Sequence, residues 1–394
     1  MDERRRAGRL LASCAAAWML FEPAGAAAQG LEFSPSFRFT GYADTALEGS
    51  TDDDTRFSGR LDAFLAVRNI WPGGSLNAQL EYVDGDPFIG LGSAGVFWPT
   101  NVHSAVPRRV SVNNAGLSLT FTHRFSESQS LTFGKFNVVE LADGTPLVGG
   151  RGKGGFLYTG IAAPPSFVFP PYVLGVNYAQ STERVNYSLL VYDAQNASGE
   201  GYWDDPFSDG ITVNGTATYK AQFGGLPGFY SVNLVYSTED ATDFTELNDD
   251  VEDGSLFAAH AGRGFAALKF QQYLFQNPRD AEQGWGIFRQ VGFGGDSNPL
   301  DNQFLLGIGG NPPIAGRGDD RWGLAWSRFN WSDGYVLQRQ ADGGDLQDEW
   351  GVETFYEAAV TETFRIGANA MYVRPGDPAA EDLVQVGLRV RATF

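Results

Sequence analysis

From Leu383 to Phe394 the chain alternates residue by residue. Val384, Val386, Leu388, Val390, Ala392 and Phe394 share one parity, and Gln385, Gly387, Arg389, Arg391 and Thr393 share the other. Successive side chains of a strand point to opposite faces, so this segment is a strand with one apolar and one polar side. The segment before it repeats the pattern, with Phe364, Ile366, Ala368, Ala370 and Tyr372 set against Arg365, Gly367, Asn369 and Met371. Phe364 and Tyr372 are eight positions apart, roughly 27 Å along a strand and about 20 Å along the membrane normal at a typical tilt. Such a pair brackets an apolar band as interfacial girdles do. In a small soluble sandwich the last strand reads as an edge with a wet face. Two arginines on its polar side and a terminal aromatic fit better a barrel with lipid outside and water inside.

Period-two alternation along the whole chain predicts about sixteen strands, near 35–46, 57–70, 75–85, 110–124, 130–139, 171–181, 184–193, 211–220, 229–238, 265–276, 284–292, 303–309, 321–332, 349–360, 363–373 and 383–394. After the first connection, short turns such as Trp71 to Gly74 and Ser126 to Gln129 alternate with long ones at 86–109, 140–170, 194–210 and 239–264. That rhythm is expected of an antiparallel up-and-down transmembrane barrel with tight periplasmic turns and long external loops, both termini being periplasmic. An even strand count is required, because an open edge in lipid leaves backbone groups unpaired. Gly310 to Asp320 breaks the rhythm: it is long where a short turn is due, so either the strand at 303–309 is misplaced or the turn is unusual.

Composition supports the all-β reading. The 394 residues include 50 Gly, and only 19% are charged; Gly costs about 1 kcal/mol at each helix position. The first residues read as a signal peptide over 1–28. Arg4, Arg5, Arg6 and Arg9 precede an apolar run to Phe21, and Ala26-Ala27-Ala28 offers a cleavage site before Gln29. Residues 29–394 then form one barrel domain in the outer membrane of a Gram-negative cell, without the chain's only cysteine, Cys14. Losing four Arg and three acids moves the net charge from -19 to -20. So acidic a chain has no nucleic-acid partner by default. Its acids gather in predicted external loops, at Asp52 to Asp54, at Asp204, Asp205 and Asp209, and from Glu239 to Asp253. These read as solubilised loops or as cation bridges to lipopolysaccharide, and none has the ligand spacing of an EF-hand.

The lumen is the candidate site. The connection 140–170, the third external loop, carries Arg151, Lys153 and Phe156 in a Gly-rich run. Folded toward the lumen, it narrows the passage; lying over the mouth is the alternative. Polar parities of the early strands bear Arg38, Arg60, Asp62, Phe64, Arg68, Gln79 and Glu81, with Arg109 and Lys135 nearby. Arginine forks, carboxylates and aromatic faces suit a neutral polyol. The mixed signs differ from the mostly basic eyelet of an anion pore. None of His103, His123 and His260 lies in a nucleophile or metal motif, so neither catalysis, nor a metal, nor a cofactor is expected. His123, beside Phe121 and Phe125, is the one position where a barrel enzyme would place a boundary histidine.

Three stretches resemble the carbohydrate-selective porin (OprB) family: GKFNVVELADGTPLVGGRGKGGF (Gly134 to Phe156), GWGIFRQVGFGGDSNPLDNQFLLGIGG running into GRGDDRWGLAWSRF (Gly284 to Phe329), and YEAAVTETFRIGANAMYV (Tyr356 to Val373). DDPFSDG from Asp204 agrees with it. The resemblance implies a sixteen-stranded outer-membrane barrel through which mono- and small oligosaccharides diffuse passively. It further implies an eyelet of Arg, Glu and aromatic side chains, and a third loop contributing Arg151 and Lys153. Its last strand, ending in Phe394, resembles the signal read by the barrel assembly machinery. The alternatives are a general or anion-leaning diffusion porin and, from another class, a barrel enzyme or adhesin. Oligomeric state is not legible.

Overall fold

A computed structural model describes residues 30–49, 55–85, 88, 94–107, 114–142, 154–248, 256–278 and 280–394. The expected leader over 1–28 lies outside the described residues. Sixteen strands close into one barrel: β1 (Glu32–Glu48), β2 (Thr55–Arg68), β3 (Gly74–Gly85), β4 (Ala115–Ser126), β5 (Gln129–Asn137), β6 (Tyr172–Ser181), β7 (Val185–Asp193), β8 (Ile211–Phe223), β9 (Leu226–Leu247), β10 (Phe257–Asn277), β11 (Asp280–Gly294), β12 (Leu300–Gly310), β13 (Arg321–Trp331), β14 (Glu349–Ala359), β15 (Phe364–Arg374) and β16 (Leu383–Thr393). Each pairs antiparallel with its sequence neighbours, and β1 pairs with β16, so no ladder is left open. Short helices occupy the connections at the long-loop end: α1 (Val102–Ala105), α2 (Val138–Ala142), α3 (Thr159–Ala162) and α4 (Asp333–Ala341).

Burial is inverted relative to a water-soluble protein. On the last strand Leu388 is 62% exposed and Phe394, just beyond it, 71%, whereas Gln385 and Arg389 are buried. Lipid is the solvent for the apolar parity, and the polar parity faces a filled interior. The outer face carries a charge at Arg289. On β11 the inward neighbours Phe288 and Gln290 are buried, and Arg289 between them points outward and is exposed. It sits midway between the outward Trp285 and Phe293, beside Phe270 and Leu306 in the register.

All sixteen expected strands are present, with two differences. β9 and β10 run to 22 and 21 residues, well past the expected ends. Beyond the membrane both faces of that hairpin meet water, so no apolar parity announces it. The break after β12 is an unusual turn rather than a misplaced strand. The Asn311 side chain donates to the carbonyls of Gly318 (2.8 Å) and Asp320 (3.1 Å). The Asp320 carboxylate accepts from Arg317 Nε (2.6 Å), the Ala359 N–H (2.8 Å) and the Tyr356 hydroxyl. Ten residues of turn are thereby fastened to the barrel rim.

Candidate functional site

Three connections from the long-loop end pack against inward side chains of β13 to β16. The N–H groups of Leu157 (2.9 and 3.0 Å) and Tyr158 (2.9 Å) donate to the Glu353 carboxylate on β14. Four residues earlier on the same strand, Glu349 accepts from the N–H groups of Trp98 (3.1 Å) and Gly376 (2.9 Å), from the Phe97 N–H, and from the Tyr158 hydroxyl (2.7 Å). Burial together with the Glu349 charge pushes the Tyr158 hydroxyl well above the ordinary phenol range, so it stays a donor. Phe156 is completely buried, with edge contacts to Phe288 (6.0 Å) and Phe355 (4.8 Å). It lies over Gly323, where a Cβ would stand 2.5 Å from the ring; only glycine admits this approach. At Gly154 a Cβ would fall 2.7 Å from Arg391 Nη2 and 2.8 Å from Glu357 Oε1, the movable ends of two long side chains.

The charges of β1 to β3 and β14 to β16 form two clusters. In the first, Arg60 pairs with Asp62 (2.8 Å) and Glu81, with Glu140 of α2 at 3.9 Å. Its guanidinium also donates to the carbonyls of His103 (3.1 Å) and Val106 (2.8 Å). Gln79 donates to Glu81 (2.9 Å) and Glu140 (3.0 Å), and the Tyr172 hydroxyl to Glu81. Oxygens of Asp62, Glu81 and Glu140 lie within 4.8 Å of one another, the spacing of a cation site, but Arg60 supplies a resident cation there. In the second cluster, Glu357 of β14 pairs with Arg391, with Arg389 (3.3 Å) and with Arg365 (3.7 Å). Arg365 and Arg391 are direct cross-strand partners, an unfavourable like-charge placement offset by the shared carboxylate.

The residues expected at the passage therefore separate. Arg60, Asp62 and Glu81 come together but are buried to 1% exposure or less, a closed brace on the wall. Arg38 is half-buried with its guanidinium 5.1 Å from the centre of the Phe64 ring. Lys135 does not join them. Alternation puts it on the face of Leu119 and Phe133, the outward one, with its ammonium 5.5 Å from the centre of the Tyr172 ring. Phe156 anchors its segment instead of offering an open platform. Arg109, Arg151 and Lys153 lie outside the described residues. His123 accepts from Trp71 Nε1 (3.0 Å) and packs edge-on against Phe125, an interfacial pairing. Sequence reasoning missed Glu349, Glu353 and Glu357. Their signal was present: alternate positions of β14 read Glu, Gly, Glu, Phe, Glu.

Sixteen antiparallel strands closed around a charged, loop-filled interior, with an apolar exterior, define a porin-type channel of an outer membrane. The chain belongs to the carbohydrate-selective porin, OprB family, whose profile matches residues 119–394. The fold is similar to Pseudomonas putida OprB at high pH, with 16% identity, a TM-score of 0.74, and 92% of this chain and 94% of that one covered. It also resembles the outer membrane channel DcaP of Acinetobacter baumannii, at 10% identity and a TM-score of 0.53, covering 93% and 98% of the two chains. Among curated proteins, none matches the sequence. The family makes the chain an outer-membrane, carbohydrate-preferring porin, a channel rather than an enzyme.

Proposed function

We propose that the barrel passes mono- and small oligosaccharides by passive diffusion, without covalent chemistry or a cofactor. The long connections face the exterior, both termini face the periplasm, and residues 1–28 are removed on export. The carrying observation is the docking of Gly154 to Ala162 on the inward Glu349, Glu353 and Glu357 wall, which fills part of the barrel interior. This segment is the constriction. Liposome swelling with glucose, a disaccharide and a polyether of similar mass tests the reading. Faster entry of the sugars is expected; equal rates overturn it.

A second reading, an anion-leaning pore, is favoured by one feature. Arg365, Arg389 and Arg391 share the single carboxylate of Glu357, with Arg38 on the neighbouring strand. Reversal potentials in a salt gradient separate the two readings, since a strong preference for chloride with no sugar preference supports the second.

A further inference from the structure

The long turn between β12 and β13 reaches the outer face of the barrel. Its Pro312, Pro313 and Ile314 enclose, with the outward Trp322, Tyr356 and Ala370, a groove of about 680 Å³ on the lipid side of β13 to β15. The register accounts for the hollow. One outward row runs Trp322, Tyr356, Ala368, Leu388, and the next runs Leu324, Thr354, Ala370, Val386. Thr354, Ala368 and Ala370 are thus a low floor, with the exposed Leu324 and Leu388 standing at its two sides. Toward β12 the first row ends at Gly310, which has no side chain, and there the turn begins. The two prolines fix φ along the arm, so it keeps its place over the floor at little entropic cost.

One edge of the groove is charged. The Tyr356 hydroxyl and Arg317 Nε meet on the same Asp320 carboxylate, which sets the Arg317 guanidinium at the short-turn end of the groove. The Arg317 side chain is 41% exposed, whereas that of Asp320 is enclosed at 1%. Asp319, the other acid of the turn, is held toward β11 by Gln283 (3.1 Å). A guanidinium presents parallel N–H donors in the geometry that phosphate oxygens accept.

We propose that this groove holds one glycerophospholipid of the periplasmic leaflet. An acyl chain lies on the Thr354, Ala368 and Ala370 floor beneath Ile314, and the phosphodiester meets Arg317. The inference uses the orientation given above, with the short turns in the periplasm, and does not depend on what the lumen carries. A hollow on the apolar band of a barrel opens into hydrocarbon, so chains are its natural filling. What separates a site from bulk lipid is a fixed cover over the chain and a fixed charge for the headgroup. The proline arm supplies the first and Arg317 the second. The length of the turn has its reason here, because a tight turn does not reach back over the wall.

The test is Ala368→Leu with Ala370→Leu in the full chain, which raises the floor of the groove, with Ala370→Leu alone as the milder variant. Arg317→Gln, whose amide still donates to Asp320, removes the charge. Native mass spectrometry of barrels extracted from the outer membrane and washed in detergent counts the phospholipids kept. Titration of delipidated barrels with phosphatidylglycerol and with diacylglycerol reads the headgroup contribution. The wild type is expected to keep one phospholipid and the double variant none. Arg317→Gln weakens phosphatidylglycerol binding about tenfold to a hundredfold and leaves diacylglycerol unchanged. Equal retention in the wild type and both leucine variants overturns the site, as does a wild type that keeps no lipid. A wild-type dimer that the double variant abolishes assigns the groove to a second copy and overturns it too. Glucose swelling is unaltered in every variant, so the sugar-porin reading stands or falls separately.

Discussion

Replacing Glu353 by Ala removes the acceptor of two backbone N–H groups, those of Leu157 and Tyr158, in residues that are 1% and 0% exposed. A hydrogen bond to a charged group contributes about 1.5–3 kcal/mol, so the pair supports docking of the segment by roughly 3–6 kcal/mol. At about 1.4 kcal/mol per factor of ten, the undocked population rises roughly 10²- to 10⁴-fold. The barrel itself keeps its sixteen ladders, because Glu353 takes part in them only through its backbone. The expected result is a folded protein with larger and noisier single-channel conductance and less discrimination between glucose and a disaccharide. Glu353→Gln, which keeps one carbonyl acceptor, falls between the Ala variant and wild type. Unchanged conductance and discrimination in Glu353→Ala would refute the role given to this carboxylate.

Three more outcomes follow from the geometry. Arg289→Leu replaces a mid-band, lipid-facing arginine and raises stability in guanidinium unfolding from lipid vesicles by about 2–4 kcal/mol; lower or equal stability would mean Arg289 is compensated in the membrane. Gly323→Val drives a side chain into the Phe156 ring and mimics Glu353→Ala in conductance; a wild-type trace would show that the ring has room to move. Burial acts to raise the Asp320 carboxyl, but hydrogen bonds from Tyr356, the Ala359 N–H and Arg317 prevail and hold it below its ordinary value. A depressed folded pKa stabilises the turn above the ordinary carboxylate range and loses that effect as pH falls through the depressed value. Protease cleavage within 311–320 is therefore expected to increase on acidification below about pH 4 in wild type, and already at neutral pH in Asp320→Asn. Cleavage independent of both pH and substitution would remove Asp320 as the fastener.

The strands were legible because lipid and lumen impose opposite demands on alternate residues, so Val386, Leu388 and Val390 announce their face without a partner. The charge brace of Arg60, Asp62 and Glu81 was legible as a set for the same reason. Its closure was not, since only the pairing distances and the Glu140 contact reveal that the group is shut away from the passage. Lys135 shares the parity of Phe133, two residues earlier, and its place over the Tyr172 ring is a tertiary contact that no residue pattern names. The docking carboxylates of β14 were written in alternation, yet their partners are backbone N–H groups of distant loops, which no residue pattern names. Where both faces of a strand meet water, as in the outer part of β9 and β10, the alternation itself disappears.

Glu349 joins parts of the chain made at very different times. Its carboxylate holds Phe97 and Trp98 from the first quarter, Tyr158 from the third external loop, and Gly376 from the last connection. During assembly the early segments have no acceptor until β14 is in place, and Gly376 arrives only with the strands that close the ring. Narrowing of the passage thus comes late, with completion of the sheet. A truncated or stalled barrel would be a wider hole than the finished one, a hazard to the cell that favours rapid insertion of the C-terminal strands as a unit.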